Sequence, residues 1–246
     1  MNFDISWWAA CLSGGVLGLI FGSFVGMPSY RWPRQESWLP SSHCPRCQAR
    51  LTAKNLIPVL SWLLQRGISG CCQHPISPRY LWIEGIAALS LALLGGLYGF
   101  GIDFVLLSGL VLLLLFITVT DLETGYVADG ASLAVATLGL FWLLGHPPII
   151  WWDPLLSLLQ TAGIGLLLTL GYSRLRGRDM MGWGDVKLMA AAALWLPAAQ
   201  VPIYLILASL LGLITGIIWR RIYKSDEFPF APALSVSLLC TLFIAP

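Results

Sequence analysis

The sequence predicts an all-α polytopic membrane protein, and three observations carry that expectation. Hydrophobic residues make up 57% of the 246-residue chain and charged residues only 11%, against roughly 25% charged in soluble domains. Several apolar runs approach the ~20 residues that cross a bilayer core as a helix. The runs are continuously apolar and lack the two-residue alternation of barrel strands. Eight transmembrane helices are predicted, at about 8–26, 81–99, 102–120, 131–149, 155–172, 186–199, 201–219 and 230–245. The sixth is short and alanine-rich. A lipid bilayer is the first expected partner; a nucleic acid is not expected.

The first span has no Lys or Arg before Arg31. It lacks the basic start of a signal peptide and is read as a retained helix, residues 1–30. Gly14, Gly18, Gly22 and Gly26 recur every four residues on it. They line one face where a second helix can approach closely. Packing inside the protein is the favoured use of that face; a homodimer contact is the lesser one. Residues 31–80 differ in composition, with most of the arginine, several prolines and four of the six cysteines. They are expected to form a loop subdomain inserted between helices one and two, and residues 81–246 the main membrane domain. Trp7, Trp8, Trp82, Trp151, Trp152 and Trp219 fall near span ends, as an interfacial aromatic belt does. Cys11 and Cys240 lie within spans and read as small core residues.

Threading the eight spans with the N-terminus outside puts 27–80, 121–130, 173–185 and 220–229 in the cytoplasm. All fourteen Lys and Arg then fall in those segments or, for Lys187, at the mouth of span six. Only acids such as Asp4, Asp103 and Asp153 face outward. This is the positive-inside rule with no exceptions.

The same threading brings two aspartates to one membrane face. Asp121 ends span three in TVTDLETGYVADG, and Asp185 opens span six in MGWGDVKL, 64 residues later. Two carboxylates that meet at one site do not both ionise easily. One keeps a proton and the pair works as acid and base together. Such a pair can activate water against a peptide carbonyl and protonate the leaving amine. Gly182 and Gly184 would let the backbone turn sharply beside Asp185 and a substrate strand come close, and Gly125 would do similar work after Asp121. Lys187 pairs with a carboxylate or snorkels to the headgroups. Asp129 reads as a support or cap residue and Glu123 as a solvated charge. Glu84 lies just inside span two, where an acid is costly and so a candidate for function, unless it faces water at the interface.

GWGDVKL resembles the G-x-G-D-x-K-L motif of the type IV prepilin peptidases, relatives of the GxGD aspartyl proteases. DLETGYVAD resembles their first aspartate segment, with Ala128 where proline is usual. FGSFVGMPSYR (21–31), LIPVLSWLLQRG (56–67), ISPRYLWIE (76–84) and FPFAPAL (228–234) extend the likeness along nearly the whole chain. The resemblance implies that Asp121 and Asp185 are the catalytic pair. It implies an enzyme of the bacterial inner membrane, cutting leader peptides from type IV prepilins or type II secretion pseudopilins on the cytoplasmic side. Many members also methylate the new N-terminus with S-adenosylmethionine, and the 31–80 loop is the region associated with that activity.

Cys44 and Cys47 form a C-x-x-C knuckle, and Cys71 and Cys72 follow 24 residues after Cys47. In a reducing compartment such a set favours zinc over disulfides. By alignment with the family, Cys72 matches the last ligand and Ser69 stands where the third is usual. Adjacent cysteines tend to point apart, so His43 or His74 is the substitute ligand for Cys71. Two rival functions remain on the sequence: a small proton-coupled transporter, whose acids lie near mid-bilayer, and a non-catalytic pilus-assembly protein.

Overall fold

A computed structural model describes residues 5–36, 42–44, 46–176, 181–225 and 227–244. Asp4, Arg178 and the last residue of the final expected span lie outside them. The described residues are helical, with two isolated β-bridges and no strand. The helices are α1 Ile5–Arg31, α2 Leu60–Leu64, α3 Arg79–Tyr98, α4 Ile102–Thr124, α5 Asp129–Gly145, α6 Asp153–Arg176, α7 Trp183–Ala192, α8 Val201–Tyr223 and α9 Ala231–Ile244.

Five helical stretches are long and apolar enough to cross a membrane: those containing α1, α3, α4, α6 and α8. Their outward side chains are apolar, among them Leu89 and Leu93 on α3, Leu159 and Leu167 on α6, and Leu210 and Leu213 on α8. Exposed leucine in such density suits lipid rather than water. The other three expected spans are shorter. α5 has 17 residues, α9 has 14 and α7 has only 10. At 1.5 Å per residue α7 is about 15 Å long, half a bilayer core. Its helix gives way at Ala193 to turns that run to Gln200.

The chain divides into two compact units, Met1–Phe116 and Ile117–Pro246. In the first, α1 packs along α3. Its glycine face is the contact: a Cβ on Gly18 would lie 2.6 Å from the Ala88 Cα, and one on Gly22 would lie 2.8 Å from the Ala87 Cβ. The expected internal use of that face is therefore the observed one. Polar groups fasten the far ends of the two helices. Arg79 Nη2 donates to Ser29 Oγ at 2.6 Å, and the Arg79 guanidinium lies 5.7 Å from the Tyr30 ring centre.

In the second unit α7 is the central element. It touches α5, α6 and α9, and buries Asp185, Val186, Leu188, Met189, Ala191 and Ala192. The turn that follows is pinned from both sides. Trp195 Nε1 donates to the Val135 carbonyl at 3.0 Å, Ser157 Oγ to the Leu196 carbonyl at 2.9 Å, and the Ala198 amide to Asp153 Oδ2 at 3.1 Å. A short helix held by so many neighbours is a rigid platform for the acid in its first turn.

Candidate active site

Asp121 sits in the last turn of α4, the most buried of the five long helices. The chain stops being helical just after it. Gly125 takes φ +65°, a left-handed value that glycine adopts without strain. Its amide closes the helix by donating to the Asp121 carbonyl at 2.8 Å. The Asp121 side chain is buried, and Oδ2 accepts a hydrogen bond from the Ala231 amide at 2.9 Å. That amide is the first of α9, so the helix's positive end faces the carboxylate.

Asp185 lies in the first turn of α7, behind Gly182 as the capping residue. It too is buried. The Gly182 backbone faces its carboxylate, and the Asp185 Oδ1 atom has no hydrogen-bond partner. The Asp121 carboxylate is near enough for its charge to be felt at Asp185. The structure thus brings together the two acids singled out in the sequence, in unlike surroundings.

The glycines beside Asp185 work differently from the expectation. Gly182 is extended, with φ −65° and ψ 142°, and neither it nor Gly184 has a positive φ. Gly184 makes room instead for a neighbour: a Cβ there would lie 2.7 Å from the Val127 Cβ. The residue lets α7 press against the Val127 segment that leads from Asp121 into α5.

Lys187 Nζ and Asp129 Oδ1 pair at 2.7 Å, with half or more of each side chain exposed. Lys187 thus meets a carboxylate, and it is Asp129 at the start of α5, outside the buried pair. Two groups escaped sequence reading. The Ala231 amide is a backbone donor, with no side-chain signature. Tyr204 on α8 is fully buried, its hydroxyl has no partner, and it feels the Asp185 charge. A lone hydroxyl in the otherwise apolar PIYLIL stretch was its available signal.

The comparisons with known proteins agree in direction. The Bacterial Peptidase A24 N-terminal domain matches residues 16–96, and the Type IV leader peptidase family matches residues 108–217. A Prepilin leader peptidase/N-methyltransferase of Pectobacterium carotovorum subsp. carotovorum is 32% identical over 94% of this chain and 91% of its own length. One of Neisseria gonorrhoeae is 34% identical over 90% and 86%, and one of Dickeya chrysanthemi 33% over 96% and 92%. The chain belongs to the type IV leader peptidase family. No solved structure matches it.

The chain carries a second cluster, in its N-terminal unit. The sulfurs of Cys44, Cys47, Cys71 and Cys72 all lie within 4.8 Å of one another. Cys44 and Cys72 are 3.8 Å apart, and Cys47 and Cys71 are 3.4 Å apart. Four thiolates around zinc, at 2.3 Å each, sit about 3.8 Å from one another. The donor set fits such an ion. The expectation that Cys71 and Cys72 diverge is not met, and no histidine completes the set. The His43 Nδ1 lies 3.5 Å from Arg31 Nη2, and His74 is outside the cluster.

Glu84 is buried in α3, and its Oε2 accepts the Val59 amide at 2.6 Å. That amide precedes α2, so the acid caps a short helix between α1 and α3 and does not face water.

Proposed function

We propose that this chain is an inner-membrane aspartyl endopeptidase that removes the leader peptides of type IV prepilins or type II secretion pseudopilins. The observation that carries the reading is the nearness of Asp121 and Asp185, two buried carboxylates from different helices, the first close enough for its charge to be felt at the second. The names of the relatives supply the substrate class.

The two acids divide the work by their surroundings. Asp121 accepts a backbone hydrogen bond at a helix N-terminus. Both features favour the ionised form. Asp185 has a buried oxygen without a donor, an arrangement that favours the neutral acid. Asp121 then takes a proton from water as the oxygen attacks the scissile carbonyl. Asp185 gives its proton to the carbonyl oxygen. In the second step Asp121 passes its proton to the leaving amine, and Asp185 recovers one from the collapsing diol. Gly184, Lys187 and Asp129 support this arrangement by holding α7 against the start of α5.

The site faces the cytoplasm, with the N-terminus outside and eight crossings in all. The separation of charges along the sequence supports that orientation. The substrate's basic leader would stay in the cytoplasm and its hydrophobic helix in the bilayer. The segment 31–80 is a cytoplasmic subdomain in which Cys44, Cys47, Cys71 and Cys72 hold zinc. Held by these four cysteines, zinc would cross-link two turns of the loop, a structural use that needs no open coordination position.

Methylation of the new N-terminus by S-adenosylmethionine is proposed from the relatives' names alone. The described residues between α1 and α3 contain no strand–glycine loop–helix unit of the kind that cradles a nucleotide, and no step of methyl transfer is derived from them. Co-expression with a type IV prepilin, followed by mass spectrometry of the product's N-terminus, tests both activities. Removal of the leader by the wild type but not by well-folded Asp121→Asn or Asp185→Asn variants is the expected result. Unchanged processing by either variant would end the reading.

A further inference from the structure

The two cysteine turns share one backbone design. In the first, the Cys44 amide donates to the Ala49 carbonyl at 2.8 Å and the Gln48 amide to the Cys44 carbonyl at 2.9 Å. In the second, the Ser69 amide donates to the His74 carbonyl at 2.8 Å and the Gln73 amide to the Ser69 carbonyl at 2.9 Å. Gln48 and Gln73 both take left-handed φ values, +60° and +56°. An isolated bridge closes each turn, His43 with Arg50 and Ile68 with Pro75. Matched residue for residue, Cys47 corresponds to Cys72 and Cys44 to Ser69. Cys71 corresponds to Arg46, an exposed position of the first turn.

The second turn therefore has a hydroxyl where its backbone presents a ligand, and a thiol where its backbone presents a solvent-facing side chain. Yet the sulfur of Cys71 is in the cluster, 3.4 Å from Cys47 Sγ. Ser69 Oγ lies 2.9 Å from that same sulfur. Ser69 is buried while Cys71 is exposed, so the hydroxyl is the fixed partner and the thiol the one that is held. A neutral serine hydroxyl is not among the usual zinc ligands, which are thiolate, imidazole and carboxylate. Its chemistry here is that of a donor to a thiolate.

We propose that the third metal ligand has moved from position 69 to Cys71, and that Ser69 is the positioning residue that fixes the displaced thiolate by an O–H···S hydrogen bond. The pair does the work of one knuckle cysteine: Cys71 supplies the sulfur, and Ser69 supplies the orientation that the backbone no longer gives. The turn itself is steadied from α2. Gln65 Oε1 accepts the Gly70 amide at 3.2 Å, and Trp62 Nε1 donates to the Ile76 carbonyl at 3.2 Å. Hydrogen bonds to ligating atoms typically govern metal affinity by about 10- to 100-fold. This inference rests on the metal reading given under the proposed function.

The test uses the full chain in detergent, with cobalt(II) replacing zinc as the probe. Thiolate-to-cobalt absorption counts the sulfurs and reads the centre directly. The wild type is expected to show a four-thiolate spectrum, and Cys71→Ser to keep cobalt with about a quarter of that absorption lost. Ser69→Ala is expected to retain four thiolates but surrender cobalt to a chelator tenfold or more faster, while Ser69→Thr, which keeps the hydroxyl, releases it at nearly the wild-type rate. A Cys71→Ser spectrum identical to the wild type removes Cys71 from the ligand set. Release from Ser69→Ala at the wild-type rate removes the role of Ser69. A wild-type chain that takes up no cobalt or zinc overturns the metal centre itself, an outcome distinct from a bound ion with three thiolates.

Discussion

Asp121 and Asp185 are the same side chain in two environments, and the difference between those environments is what chemistry at this site needs. One carboxylate has a helix N-terminus and a backbone amide against it; the other has a buried oxygen with no donor. Asparagine keeps the shape of each and removes the titrating group. Asp121→Asn and Asp185→Asn are each expected to lower leader cleavage by at least about 100-fold, the usual lower range for losing a general acid or base. Both proteins should accumulate in the membrane with wild-type helicity by circular dichroism. The acids were legible in the sequence because charge is rare and costly in apolar segments. The amide of Ala231 was not, since every residue but proline offers one and this donor lies 110 positions from its acceptor.

At the scale of elements, α7 owes its place to an absent side chain. A methyl on Gly184 would meet the Val127 Cβ at 2.7 Å. Overpacking of this kind costs about 1–3 kcal/mol. Gly184→Ala is expected to lower the thermal midpoint in detergent and to lower cleavage with it. In a Val127→Gly background, where the struck atom is gone, the same substitution should cost measurably less, and a double-mutant cycle reads that coupling. The Lys187–Asp129 pair predicts the opposite scale of effect. Both side chains are half or more exposed, and exposed pairs contribute only about 0–1 kcal/mol. Asp129→Asn and Lys187→Gln should therefore shift the midpoint little and leave cleavage within a few-fold of wild type. The sequence marked both glycines of GWGD but not their task, because a glycine that makes room for a neighbour and one that makes a turn look alike until the neighbour is known. The convergence of Cys71 and Cys72 was hidden for a related reason. Alternation along an extended chain separates adjacent side chains, and the left-handed turn at Gln73 is not written in any residue type.

For the whole molecule, the number and direction of the bilayer crossings decide whether the two acids share one face. Five helices are long enough to do so by themselves. The remaining three, with 17, 14 and 10 residues, fall short of the ~20 that span a full core. The eight-span reading takes α5 and α9 as short crossings and the turns after α7 as completing its passage, pinned as they are by Trp195, Ser157 and Asp153. The distribution of Lys and Arg makes this decidable without a substrate. A membrane-impermeant maleimide applied to intact cells stripped of their outer membrane should leave the wild-type chain unlabelled, because the proposed topology puts Cys44, Cys47, Cys71 and Cys72 in the cytoplasm and Cys11 and Cys240 within spans. Trp151→Cys, in an expected outer loop and highly exposed, should label under the same conditions. Glu123→Cys follows Asp121 by two residues, and Trp183→Cys precedes Asp185 by two. Both should stay unlabelled until the membrane is opened, and then both should react. The catalytic reading needs those two positions to behave alike. Labelling of one but not the other from outside would place the acids on opposite faces, where no proton can pass between them.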